Sequence, residues 1–391
     1  MYVCEEIHLR EHEETMKKHT NTQQYITNST CIVTGGAGFI GSHIVDSLTD
    51  PNLHNHAIVL DNLSTGKPDN IAHHFKDNKE FQNLMKDETR DRAYANTNKK
   101  EERKKQEDNN TISGDHVTFI KADITNLALL HNIFQKYKPQ FVFHLAAIAS
   151  VPKSVEDPIT THDVNVTGTL NVLLAARDNN VKKVIFSSSC AVYGSPPDDA
   201  LPLKETQKPD PKSPYATSKL MGEYYCNIFS RTYDLPTVCL RYFNVYGPRQ
   251  DPHGEYAAVI PKFISCIKEN KPLTIYGDGT QTRDFIYVND VVNSNIALAT
   301  ADNADEFDIV NVGTGDPIDI YDLANTLLSI YDKDLDNIDY KPKRVGDIQD
   351  SYADNTKLEH ILQRVGFKVP LDLKNGLIDT AGIDKEEVLI L

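Results

Sequence analysis

Tyr215 and Lys219 lie four positions apart in SPYATSK, downstream of a serine run in FSSSCAVYGSP. If Pro214 occupies the first turn of a helix, its missing N–H costs nothing there. Tyr215 and Lys219 then share one helix face. An ammonium beside a phenol favours the phenolate, and such a base can take a proton from an alcohol near neutral pH. A hydroxyl from the serine run can orient the same alcohol. Tyr-x-x-x-Lys also occurs on ordinary solvated helices, so the elements around the pair must decide its meaning.

Those elements read as strands alternating with helices. STCIVTGGAGFIGSHIVDSLTD predicts strand, glycine turn and helix, with Gly35, Gly38 and Gly41 spacing the turn. The first glycine permits the tight turn, the second lets the backbone approach a pyrophosphate, and the third packs helix on strand. The helix N-terminus favours the anion. A second strand, HAIVLDNLSTG, brings Asp61 to a position 20 residues after Gly41, where a carboxylate can accept from ribose hydroxyls. No Arg follows closely, which favours NAD over NADP. VTFIKADI ends in Asp123 and Ile124, QFVFHLAAIAS in Ala146–Ser150, and VKKVIFSSS in the serines. Near-continuous Val/Ile/Phe runs separated by helices mark a parallel sheet covered on both faces. Ligands bind beyond the carboxyl ends of such strands, and five successive strand ends here carry residues suited to that.

The chain has 391 residues and a formal charge of −15. This excludes a general nucleic-acid binder, whose affinity would rest on a basic face. Six scattered cysteines without a C-x-x-C pair, and no secretion signal, point to reduced thiols in a cytoplasm. No apolar run is long enough for a membrane span. Residues 1–29 read as an N-terminal extension, helical in part from Glu5 to Lys18. Residues 76–116 read as a charged surface insertion that cannot bury enough to form a core element. No metal site is expected: the 14 histidines include His73–His74 and His54/His56, in polar segments without a supporting carboxylate pattern.

GGAGFIG, DNLSTG, LAAIAS, SSS…YATSK and RYFNVYGPRQ occur in the order of the extended short-chain dehydrogenase/reductase superfamily, which the chain resembles from about Thr30 to Leu377. Within it the chain resembles the UDP-sugar 4-epimerases, and most of all the branch handling UDP-N-acetylglucosamine. ASVPKSVEDPI, RYFNVYGPRQDPHGEYAAVIPKF and GDGTQTRDFIYVNDV carry that closeness. The resemblance implies an α/β fold, a Rossmann-type doubly wound parallel sheet over residues 30–240, and a smaller α/β substrate lobe over 241–391. The chain crosses between the lobes more than once. It further implies NAD as cofactor, a UDP-sugar substrate, and a homodimer formed through the helices near 160–178 and 214–231.

Carried over by residue, the resemblance places Phe39 and Ile40 at the pyrophosphate. Asp61 and Asn62 then hold the adenosine ribose, with Ser64, Thr65 and Gly66 beside them. Asp123 and Ile124 flank the adenine, and Ala146 and Asn165 support the cofactor. Ser189 bonds the sugar hydroxyl, Tyr215 is the base, and Lys219 binds the nicotinamide ribose. Phe243 lies near the nicotinamide, while Ser150 and Asn244 lie near the substrate. Arg283 and Arg344 pair with the UDP diphosphate or ribose. Dehydratases of the superfamily carry Thr-Asp-Glu where this chain has Ser189, Cys190 and Ala191, and decarboxylating relatives carry a Glu in the same turn. Without that acid and base, oxidation and reduction at one carbon remain. Ser351 aligns with a sugar-pocket gate that is Tyr in UDP-glucose-restricted enzymes, so N-acetylated sugars should fit. The competing readings are a UDP-glucuronate 4-epimerase, a one-way sugar reductase and a non-catalytic NAD-binding regulator.

Overall fold

In β1 (Thr30–Thr34), Cys31 and Val33 enter one hydrophobic core and Ile32 enters another. This period-two alternation is what a strand buried on both faces requires. The computed structural model describes residues 23–93, 111–252, 258–301, 307–333, 338–343, 348–368 and 373–383. The further strands are β2 (His56–Asp61), β3 (Thr111–Ser113), β4 (Val117–Lys121), β5 (Phe141–His144), β6 (Lys183–Ser189), β7 (Thr237–Tyr242) and β8 (Asn244–Tyr246). They continue with β9 (Leu273–Tyr276), β10 (Thr282–Arg283), β11 (Phe285–Tyr287), β12 (Asp308–Val312), β13 (Ile318–Asp319), β14 (Ile338–Lys341) and β15 (Asp350–Ser351). The helices are α1 (Phe39–Leu48), α2 (Lys79–Ala93), α3 (Leu127–Tyr137), α4 (Val151–Glu156), α5 (Pro158–His162) and α6 (Gly168–Asp178). After them come α7 (Pro214–Tyr233), α8 (Val259–Lys268), α9 (Val288–Thr300), α10 (Ile320–Ile330), α11 (Thr356–Arg364) and α12 (Leu373–Ala381).

Eight strands form one sheet in the order β12-β7-β6-β5-β1-β2-β4-β3. Its pairings are parallel except β3 with β4. α1, α9 and α11 cover one face, and α3, α6 and α7 cover the other. The doubly wound sheet is therefore present. Strand order reverses at β1, between β2 and β5, and the crevice of such a sheet opens there. A third core, with Phe263, Leu273, Leu323 and Leu377, holds α8, α10 and α12 around short strands. β7 runs through position 240/241, and β12, α9 and α11 return to the large sheet, so the later sequence is shared between both parts.

Two sequence expectations need correction. The 76–116 segment does contribute to the core at both ends. Phe81 stacks on Phe75 at 4.3 Å and meets Phe119 edge-on at 5.9 Å. Ile112, on the antiparallel edge strand β3, is also buried. A window of high charge hides single apolar anchors. The extension likewise ends inside the fold: Ile26 is buried, and the Gln24 N–H donates to the Val365 carbonyl at 3.0 Å. The Glu5–Lys18 helix and residues 94–110 lie outside the described residues.

Candidate active site

The loops after β1 and β5 meet at the reversal point. A Cβ on Gly35, whose φ is +70°, would lie 2.8 Å from the Ala146 nitrogen. One on Gly41 would lie 2.2 Å from the Gly35 carbonyl oxygen. Only glycine lets the turn and α1 close this tightly. Gly38 caps α1 with no side chain, which leaves the first-turn N–H groups for a ligand. Phe39 and Ile40 open that helix.

Asp61, at the end of β2, is buried. Its carboxylate accepts from the Ala37 N–H at 3.0 Å and the Leu63 N–H at 2.8 Å. Burial raises its pKa, and the two N–H bonds oppose that. Gly66 lets the turn pass over this carboxylate, since a Cβ there would lie 2.7 Å from its oxygens. Asn62 donates to Asp123 at 2.8 Å, linking the ends of β2 and β4, and accepts from the Ser64 N–H. Ser64 and Thr65 are exposed, whereas Ile124 is buried beneath Gly168. An uncapped helix start, a glycine cradle and a strand-end carboxylate fit a dinucleotide.

A π-helical turn at Asp163–Thr167 interrupts the helix expected over 160–178 and turns Asn165 inward. Such turns recur at functional sites. Asn165 accepts from the Ile148 N–H at 2.7 Å and donates to the Ile148 carbonyl at 3.1 Å and Ser218 Oγ at 3.0 Å. It thereby clamps the 146–150 turn to α7. Ser150 N-caps α4. The Tyr215 N–H donates to Ser154 Oγ at 3.0 Å, and Ser213 N-caps α7. These bonds fix where α7 begins, and hence where Tyr215 stands.

Tyr215 and Lys219 share the helix face over the end of β6. Lys219 Nζ lies 6.0 Å from the centre of the Tyr215 ring and donates to the Ser187 carbonyl at 2.7 Å. The Ser189 hydroxyl lies close enough to the Tyr215 phenol to favour its ionised form. The three groups expected to act together are thus brought together. Their ionisation differs from the expectation. Burial pushes the phenol up to about 12, and the neighbouring Ser189 hydroxyl offsets only part of this. Burial also pulls Lys219 down to about 8. Burial by itself therefore favours the neutral phenol at Tyr215.

Phe243 is buried with Tyr193, Leu220 and Ala353 beside the site. Asn244 donates to the Asp284 carbonyl and lines a cavity of about 560 Å³ together with Arg283, Tyr246, Phe263 and Tyr276. Arg283 pairs in register with Ser351 across β10 and β15, and Ser351 is buried. Arg344 lies outside the described residues. Desolvation pushes the Cys190 thiol up to about 12.

Sequence reasoning missed the supports. Arg241 and Glu223 form a fully buried ion pair at 2.7 Å, and Ser188 Oγ donates to the same carboxylate. Tyr193 lies against the Arg241 guanidinium and donates to Asn311. Asp284, fully buried, accepts from the Thr314, Gly315 and Ala353 N–H groups and from the Thr314 hydroxyl. An Arg inside the apolar strand TVCLRY was the available signal.

Comparison with known proteins places this geometry in context. The profile described as "NAD dependent epimerase/dehydratase family" matches residues 31–313. The UDP-glucose 4-epimerase of Mycolicibacterium smegmatis is 36% identical over 352 residues, covering 89% of this chain and 96% of that protein. A solved UDP-N-acetylglucosamine 4-epimerase from Methanobrevibacter ruminantium, in complex with UDP-N-acetylmuramic acid, is 38% identical with a TM-score of 0.74, covering 91% and 98%. A Bacillus cereus UDP-glucuronic acid 4-epimerase, solved with UDP-glucuronic acid and NAD, is 28% identical with a TM-score of 0.71, covering 92% and 99%.

Proposed function

The chain belongs to the NAD dependent epimerase/dehydratase family, and we propose that it inverts the 4-hydroxyl of a UDP-hexose through a 4-keto intermediate, with N-acetylated sugars among its substrates. One observation carries the reading: Ser189, Tyr215 and Lys219 converge at the end of β6, in a turn where Cys190 and Ala191 offer no acid or base for eliminating water.

When bound, NAD would supply a hydride acceptor and donor for the sugar C4. Gly35–Gly41, the start of α1 and Asp61 would hold it, with Asn62 and Asp123 at the adenosine end. Tyr215 Oη takes the 4-hydroxyl proton and later returns it to the inverted alkoxide. Ser189 Oγ orients the same hydroxyl. Lys219 adds positive charge beside the phenol, which is needed because burial alone leaves it protonated. Arg283 and Asn244, lining the cavity, are suited to the UDP end, since a guanidinium fork matches a diphosphate. Ser351 stands next to Arg283 in the register, and at such a gate a small side chain would admit an N-acetyl group that a Tyr would exclude.

Purified protein should convert UDP-N-acetylglucosamine to its 4-epimer without net NADH. The Tyr215→Phe variant should lose about 10²–10⁴-fold in turnover. UDP-glucose and UDP-glucuronate are the comparison substrates. Ser351→Tyr should abolish N-acetylated turnover selectively, and equal loss on UDP-glucose would refute the gate.

A homodimer is part of the proposal. Val155, Ile159, Tyr224 and Ile228 are 52–74% exposed on α4, α5 and α7, which pack side by side. A second copy would cover this apolar face.

A further inference from the structure

We propose that Asp46, His73 and His74 form a binding site for a divalent transition cation of the zinc class. The histidines were expected to be solvated in a polar segment. Instead both rings reach the carboxylate of Asp46, far away in sequence on α1. His73 Nε2 lies 2.7 Å and His74 Nε2 2.8 Å from the same Asp46 oxygen. The three ligand atoms all lie within 4.8 Å of one another. The histidines come from the short 3-10 helix Pro68–Phe75, and their rings are 4.0 Å apart.

Zinc binds imidazole nitrogen and carboxylate oxygen at about 2.0–2.2 Å, so its ligand atoms stand about 3.3 Å apart. The two histidine–aspartate separations need to open by about half an ångström. Neutral imidazoles offer Nε2 to a cation once the ring proton sits on Nδ1, so the step is a tautomer change with no net proton loss. Two nitrogens and one oxygen select zinc-class ions over magnesium or calcium, which take oxygen.

The surroundings resemble an outer shell. Arg249 donates to the other Asp46 oxygen at 2.6 Å and fixes the carboxylate, as partners of metal-bound carboxylates do. The His73 side chain is 41% exposed, so water can complete the coordination. A bound cation would tie α1, which follows the glycine turn, to the 68–75 helix.

The test is zinc titration of the untagged, chelator-treated full chain by calorimetry, with cobalt absorption spectra as a second readout. The expected result is one equivalent of zinc and a cobalt d–d band. His73→Gln and His74→Gln should each weaken binding by at least about tenfold, while melting at the wild-type temperature in chelator. The inference is overturned by no binding, by unchanged affinity in the double variant, or by a thiolate charge-transfer band placing the cation on cysteine.

Discussion

Tyr215 is pushed up to about 12 by burial while Lys219 is pulled down to about 8. A buried phenol becomes a usable base only when positive charge gathers beside it. Lys219→Met removes such a charge, so the rising limb of the pH–kcat profile should move to higher pH by about one unit. An unshifted limb would mean that Lys219 only binds the ribose. His144 gives a second pH test. It is fully buried between Thr34 and Thr169, and burial lowers its pKa from 6.5 to about 3. As pH falls below 6.5, the unfolded chain takes the proton before the folded one does. Stability is complete above 6.5 and is lost progressively toward 3. In His144→Asn, the urea midpoint should change less between about pH 7 and about pH 5 than in the wild type.

α7 is the element on which the proposed chemistry depends, and it is held by features of uneven visibility. Gly222 lets it sit against the sheet, since a Cβ there would come within 2.3 Å of the buried Phe186 ring. Gly222→Ala should cost about 1–3 kcal/mol by overpacking and depress kcat more than it raises KM. The Glu223–Arg241 pair joins α7 to β7, and Glu223→Ala should destabilise by about 3–5 kcal/mol by orphaning a buried guanidinium. Chemical denaturation measures both. The strands, the glycine turn and the pair Tyr215–Lys219 were legible because each has its own period or spacing. The ion pair was not, because charged residues read as surface until the fold brings partners from positions 223 and 241 together. Asn165 was placed near the cofactor by resemblance, but its role as a clamp depends on a π turn that no periodicity announces. Phe81 and Ile112 were lost in the average of a polar window.

At the scale of the whole molecule, an apolar face on α4, α5 and α7 continues the element that carries Tyr215. The proposed dimer therefore buttresses the site from behind. Ile228→Asp should halve the mass seen by light scattering and leave a less stable monomer. An unchanged mass would remove this face from consideration. The loops after β1, β2, β4, β5 and β6 lie at the strand ends around the reversal point. That arrangement serves a reaction in which one carbon is oxidised and reduced in place. The most direct measurement is proton NMR of UDP-N-acetylglucosamine incubated with the purified protein and catalytic NAD. The account predicts the 4-epimer, no accumulated NADH, and product formed at least about 100-fold more slowly by Tyr215→Phe. A stoichiometric build-up of NADH, or epimer formed equally well by the Tyr215→Phe variant, would contradict it.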